Sequence, residues 1–146
     1  MNFPRVALGA VAAWILYFGF GFLVHRVLLD DIYLQHKPML RPEAQAMAIM
    51  PLVVGFSLIG FFAFAYAYAK GYEGGSGLQE GLRFGVLVGI MLCGFGAIWQ
   101  YMAWPASTRL LLAWLIDFIV EFSVYGMVVG LIYKPSGAAA RRVATI

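Results

Sequence analysis

Hydrophobic positions along this chain fall into four long blocks, separated by short stretches rich in Gly, Pro and charge. A helix needs about 20 predominantly apolar residues to cross the ~30 Å hydrocarbon core of a bilayer. Four segments meet that length, at about Val6–Leu29, Glu43–Ala69, Gly81–Ala103 and Arg109–Tyr133. The connections are short, so neighbouring helices are expected to pack antiparallel. The predicted fold is all-α: one up-down bundle of four transmembrane helices over residues 1–146. Pro42 suits the first turn of the second helix. Pro51 removes a backbone donor further in, which predicts either a kink or an interfacial helix before a shorter span. Pro105 and Ser107 fit a tight turn before the fourth helix, and Pro135 and Gly137 fit its end.

Inside the blocks, spacing sorts residues onto faces. Gly81, Gly85 and Gly89 recur every four residues, and Gly96 falls on the same stripe, which continues to Gln100. Small residues at this spacing let helix backbones approach closely in lipid. The Gln100 amide must find a partner, because lipid offers no hydrogen bonds. The fourth segment has two unusual faces. Trp114, Asp117, Glu121 and Tyr125 share one stripe, and Gly126 and Gly130 lie roughly opposite Asp117. One face is polar and the other is small. A four-helix bundle is expected to cover only one of them and part of the other, which predicts a protein partner or self-association there. In the first segment, Trp14, Tyr17, Gly21 and His25 share a stripe, and Arg26 projects about 100° away from His25.

Composition then narrows the class. The chain is 63% hydrophobic and 12% charged, whereas soluble domains carry about 25% charged residues. The lipid bilayer is the expected environment. The formal net charge of +3 comes without a basic, aromatic-interleaved cluster, so nucleic acid is not an expected partner. The basic residues flank the apolar blocks instead. Arg5, Lys70, Arg83, Lys134, Arg141 and Arg142 would share one side. Arg26, Lys37, Arg41 and Arg109 would share the other, with Asp30, Asp31 and Glu43 nearby. The bias predicts both termini in the cytoplasm. Tyr66, Tyr68, Tyr72 and Tyr133 would form an aromatic belt on the cytoplasmic side, and Trp99, Trp104 and Trp114 one opposite.

Few motifs carry chemistry. There is no CxxC and no HExxH, and no metal or other cofactor is expected. His36, near Asp30 and Asp31, reads as part of a solvated loop. The lone Cys93 reads as a packing residue. The first block ends in VHR, without a small-residue cleavage site, so it is expected to remain a helix. The GYEGGSG loop lacks the lysine and spacing of a phosphate-binding loop.

The chemistry that remains is intramembrane charge. An acidic side chain at membrane depth costs at least roughly 2.5–3.5 kcal/mol, so it faces a partner, a cavity or a conduction path. At about 1.5 Å rise per residue, Asp117 is expected ~12 Å below the interface and Glu121 ~18 Å below it. His25 and Arg26 are expected ~5–6 Å deep on the same half, with Gln100 about as deep. Arg26, His25, Gln100 and Asp117 could then share a polar layer, with Asp117 paired to Arg26 or His25. Glu121 would lie one turn deeper, beside Tyr17 and Ser57, away from any basic residue.

GFGFLVHRVLL in the first segment, EGLRFGVLVG opening the third, and W-x-x-D with a later YG-x-x-x-G in the fourth resemble uncharacterised small bacterial four-helix integral membrane proteins. That resemblance implies the four-helix fold and supplies no activity. Small multidrug-resistance transporters are similar in size but place their glutamate in helix one, which here has none. The leading expectation is a non-enzymatic accessory subunit of a larger complex or homo-oligomer. The alternative is a small proton- or cation-coupled transporter or channel using Glu121 and Asp117.

Overall fold

A computed structural model describes residues 1–135 of the chain. Gly137, Arg141 and Arg142 lie outside the described residues. Among the described residues, four helices are long and apolar enough to cross a membrane: α1 (Phe3–Leu28), α3 (Glu43–Lys70), α4 (Gly77–Ala103) and α5 (Thr108–Ile132). A short helix, α2 (Asp30–Gln35), and a single 3₁₀ turn (Lys37–Met39) link α1 to α3. No strand occurs among the described residues. The all-α four-helix reading therefore holds.

Helix α3 runs unbroken through Pro51. There is no separate interfacial helix at that point, contrary to one of the two outcomes the proline predicted. Departures from α-geometry fall elsewhere. The last turns of α1, Phe22–Leu28, are π-helical, with the Leu29 N–H donating to the Val24 carbonyl at 2.8 Å. Helix α4 contains a second π-helical stretch, Cys93–Ala97. Such widened turns are rare and frequently sit at functional sites.

Packing is organised around α5. Its closest neighbours are α4 and α1, and α3 packs chiefly on α1, while its Phe61, Phe64 and Tyr68 rings reach α5 and α4. The α4–α5 seam is made of backbone. A β-carbon on Gly81 would overlap the Gly126 carbonyl oxygen, and one on Gly130 would overlap the Gly77 carbonyl oxygen. A β-carbon on Gly89 would stand 2.8 Å from the Ile119 Cα and the Phe118 oxygen. The two glycine faces therefore meet each other. This corrects the expectation that Gly126 and Gly130 need a partner from outside the chain: α4 covers them. Gly96 is also corrected. It lies beyond the seam, in the π-helical stretch, with nothing within 4 Å of the position of a β-carbon.

Aromatic side chains fill the interior at the other end of the bundle. Tyr68, Tyr72 and Tyr133 form a cluster with ring centroids 5.5–6.3 Å apart. Tyr68 and Tyr133 are buried, so only Tyr66 of the expected belt is well exposed. Trp99 and Trp104 face outward as expected, but Trp114 is buried.

Candidate functional site

The site begins with the spacing of helix α5. Residues four apart lie one above the other on a helix face, so Asp117 and Glu121 point the same way, into the contact with α1. Both are buried, at 6% and 3% exposure. Facing them is His25, carried on the π-helical end of α1. Its Nε2 lies 3.4 Å from Asp117 Oδ2. One ligand-type atom from each of His25, Asp117 and Glu121 lies within 4.8 Å of the others. The sequence-based depth count kept Glu121 apart from any basic residue. The structure brings it into the same cluster as His25.

His25 is held from behind. The Trp114 indole N–H donates to the Tyr33 hydroxyl oxygen at 2.9 Å. The Tyr33 hydroxyl lies 3.0 Å from His25 Nδ1. Indole can only donate, and the phenol oxygen has two lone pairs, so beside the Trp114 bond Tyr33 can either donate to Nδ1 or accept from Nδ1–H. The first arrangement puts the proton of neutral His25 on Nε2, facing Asp117, and the second leaves Nε2 unprotonated. Burial pushes the Tyr33 phenol above its ordinary value of 10.0, and the Trp114 hydrogen bond offsets part of that rise. Tyr33 therefore keeps its phenolic proton across the physiological range.

Tyr33 is placed by α2, and α2 is placed by His36. His36 Nδ1 donates to the Ile32 carbonyl at 2.7 Å, and its Nε2 accepts the Ser107 backbone N–H at 3.0 Å. Ser107 is also the N-cap of α5, its hydroxyl accepting from the Leu110 N–H at 3.2 Å. His36 is thus a buried tether between α2 and α5, not part of a solvated loop. Neither of its nitrogens is free to bind an ion.

Two adjoining spaces give access. A cavity of about 220 Å³ is lined by His25, Tyr33, Gln100, Trp104, Trp114 and Asp117, among others. A wider vestibule of about 840 Å³ lies beside it, bordered by Arg26, Lys37, Arg41, Asp30 and Glu43. His25, Tyr33 and Leu40 line both spaces. The His25 side chain is 39% exposed and that of Asp117 is 5% exposed. His25 therefore stands at the boundary between a charged vestibule and buried carboxylates.

The expected polar layer is partly rearranged. His25, Gln100 and Asp117 do line one cavity. Arg26 borders the vestibule instead, and among the described residues the only ion pair is His25–Asp117. Ser57 is committed elsewhere, accepting from Trp14 Nε1 at 3.0 Å and donating to the Val54 carbonyl. Tyr17 packs edge-on against Tyr125, at 6.2 Å between centroids, rather than hydrogen-bonding Glu121. Glu121 Oε1 and the Tyr125 hydroxyl are buried without a hydrogen-bond partner. In a low-dielectric interior such atoms carry a desolvation cost of about 1–3 kcal/mol, more for a charged group. Cys93 is a packing residue whose thiol donates to the Leu115 carbonyl.

Sequence reasoning missed Tyr33 altogether and assigned Trp114 to a lipid-facing belt. The available signal was the Asp30–Asp31 pair, since acidic residues mark a helix start. It announced that α1 is followed by a further short helix. The chain matches no family model, and no curated protein or solved structure is significantly similar to it.

Proposed function

We propose that this chain is a small membrane-embedded cation carrier or channel, taking a proton or metal cation from one membrane face to the His25–Asp117–Glu121 cluster. One observation supports this reading above the others: buried carboxylates and an imidazole converge where a charged vestibule meets an inner cavity. The vestibule offers both charge signs near its mouth. The cluster behind it offers two carboxylates to a single imidazole. Such a gradient draws a cation inward.

The resemblance to small bacterial membrane proteins favours a bacterial cytoplasmic membrane, and the distribution of basic residues favours both termini inside, which puts the vestibule on the outer face. The test is cation flux into proteoliposomes, measured for protons, Na⁺ and Zn²⁺. Flux of one of these should be lost in Asp117→Asn and in Glu121→Gln, with the bundle intact by circular dichroism. Equal flux in wild type, variants and empty vesicles would reject the reading.

A second reading is a subunit of a larger membrane complex or a homo-oligomer. It no longer draws on the glycine face of α5. Its remaining support is the periphery of α3, where Phe56 is 67% exposed and Gly55 and Gly60 have open space around them. Native mass spectrometry of gently solubilised membranes would reveal a stoichiometric partner, if this reading is correct.

A further inference from the structure

We propose that His25, Asp117 and Glu121 form a binding site for a divalent first-row transition metal ion, with Tyr33 as the positioning residue behind His25. The inference deepens the cation reading above by naming the cation class.

Distance and donor type carry it together. An ion held tetrahedrally at about 2.0–2.1 Å sets neighbouring ligand atoms about 3.3–3.4 Å apart. His25 Nε2 and Asp117 Oδ2 stand 3.4 Å apart. The Glu121 atom lies within 4.8 Å of both. Glu121 is also the group that points to a ligand: it is 3% exposed, and its Oε1 lacks a hydrogen bond of full geometry, although the Tyr125 hydroxyl lies near it. A bound ion would give that oxygen a ligand bond.

Charge leads to the same conclusion. Two carboxylates lie buried together, and no Lys or Arg pairs with either among the described residues. A divalent ion balances both at once. A mixed set of one imidazole and two carboxylates suits Zn²⁺, Fe²⁺, Mn²⁺ or Co²⁺. It does not suit Ca²⁺, which takes six to eight oxygen ligands. No thiolate is present in the set to select Cu⁺.

The surroundings match a metal-binding histidine. Such a histidine has its second nitrogen fixed by a hydrogen-bonded partner that sets ring orientation. Here Nδ1–H would donate to the Tyr33 hydroxyl oxygen, leaving Nε2 unprotonated for the ion, and Trp114 fixes Tyr33 in turn. Three protein ligands leave one coordination position open. The cavity lined by His25, Asp117 and Gln100 has room for water or another ligand there.

The test uses the purified full chain in detergent, stripped with chelator and titrated with Co²⁺ and separately with Zn²⁺. The expected result is one equivalent bound, with visible Co²⁺ absorption of a four- or five-coordinate site. The double variant Asp117→Asn/Glu121→Gln should lose both. Tyr33→Phe should keep the stoichiometry and weaken affinity about 10–100-fold. Substoichiometric binding, or a Co²⁺ spectrum unchanged in the double variant, would overturn the site. If the double variant does not fold, Tyr33→Phe decides, and wild-type affinity there would overturn the assignment. Failure of the metal site and failure of the transport reading are separable. Flux without metal binding in the titration rejects the metal site alone. Metal binding without flux rejects transport alone.

Discussion

The two faces of α5 solve opposite problems. Toward α4, Gly126 and Gly130 meet Gly77 and Gly81 with no side chain between them. Toward α1 and α2, the same helix presents Trp114, Asp117 and Glu121 to a cavity and to His25. The first face is closed, and it fixes where the helix axis lies. The second is held open by side chains that hydrogen-bond around a space. The seam needs atoms to be absent, whereas the cleft needs particular atoms to be present. A rigid contact on one side lets the other side keep costly charges in a defined place.

That contrast orders the expected effects of mutation. The largest belongs to the seam. Gly81→Ala or Gly126→Ala places a methyl group into opposing backbone, so one helix must move. A loss of about 3 kcal/mol or more is expected, read as failure to fold or a steep fall in detergent melting temperature. Gly96→Ala is the matched control. Open space surrounds it, and alanine is the better helix former by about 1 kcal/mol, so its stability should hold or rise. Equal losses at Gly81 and Gly96 would break the comparison.

In the cleft the expected effects are on binding more than on stability. His25→Ala should abolish cation binding with little change in melting temperature, because that side chain is already partly exposed. Titration calorimetry beside thermal unfolding separates the two readouts. Ser107→Ala removes the α5 N-cap and should cost about 0.5–2 kcal/mol in thermal unfolding. The His36 tether should survive, since it uses the Ser107 backbone N–H. Trp114→Phe deletes the indole donor to Tyr33 and should cost about 1 kcal/mol, with a modest loss of cation affinity.

Much of this was legible in the sequence, and the failures share a cause. Block lengths gave the four spans, and four-residue glycine spacing gave the α4 ridge. Pairing of that ridge with Gly126 and Gly130 was not seen, because a helical wheel shows which residues share a face and not what covers it. Depth counting assumed straight α-helices. It also began at Leu29, whereas α2 beyond that residue is tethered to α5, so His25 faces residues deeper along α5 than the count allowed. Tyr33 escaped because α2 is too short to show a period. It is positioned by a hydrogen bond from the Ser107 N–H to His36, 71 residues away. No local pattern encodes that tether. Arg26 misled for a simpler reason. It is adjacent to His25 in sequence, but about 100° of helical rotation turns it toward the vestibule.

The central claim is that three side chains from two helices form one cation site at the inner end of an open cleft. Anomalous diffraction from crystals soaked in Zn²⁺, collected above the zinc edge, tests it most directly. The account predicts a single strong peak between His25 Nε2, Asp117 and Glu121, about 2.0–2.2 Å from each ligand atom. No peak there, with Asp117 paired to Arg26 and Glu121 apart from His25, would contradict it.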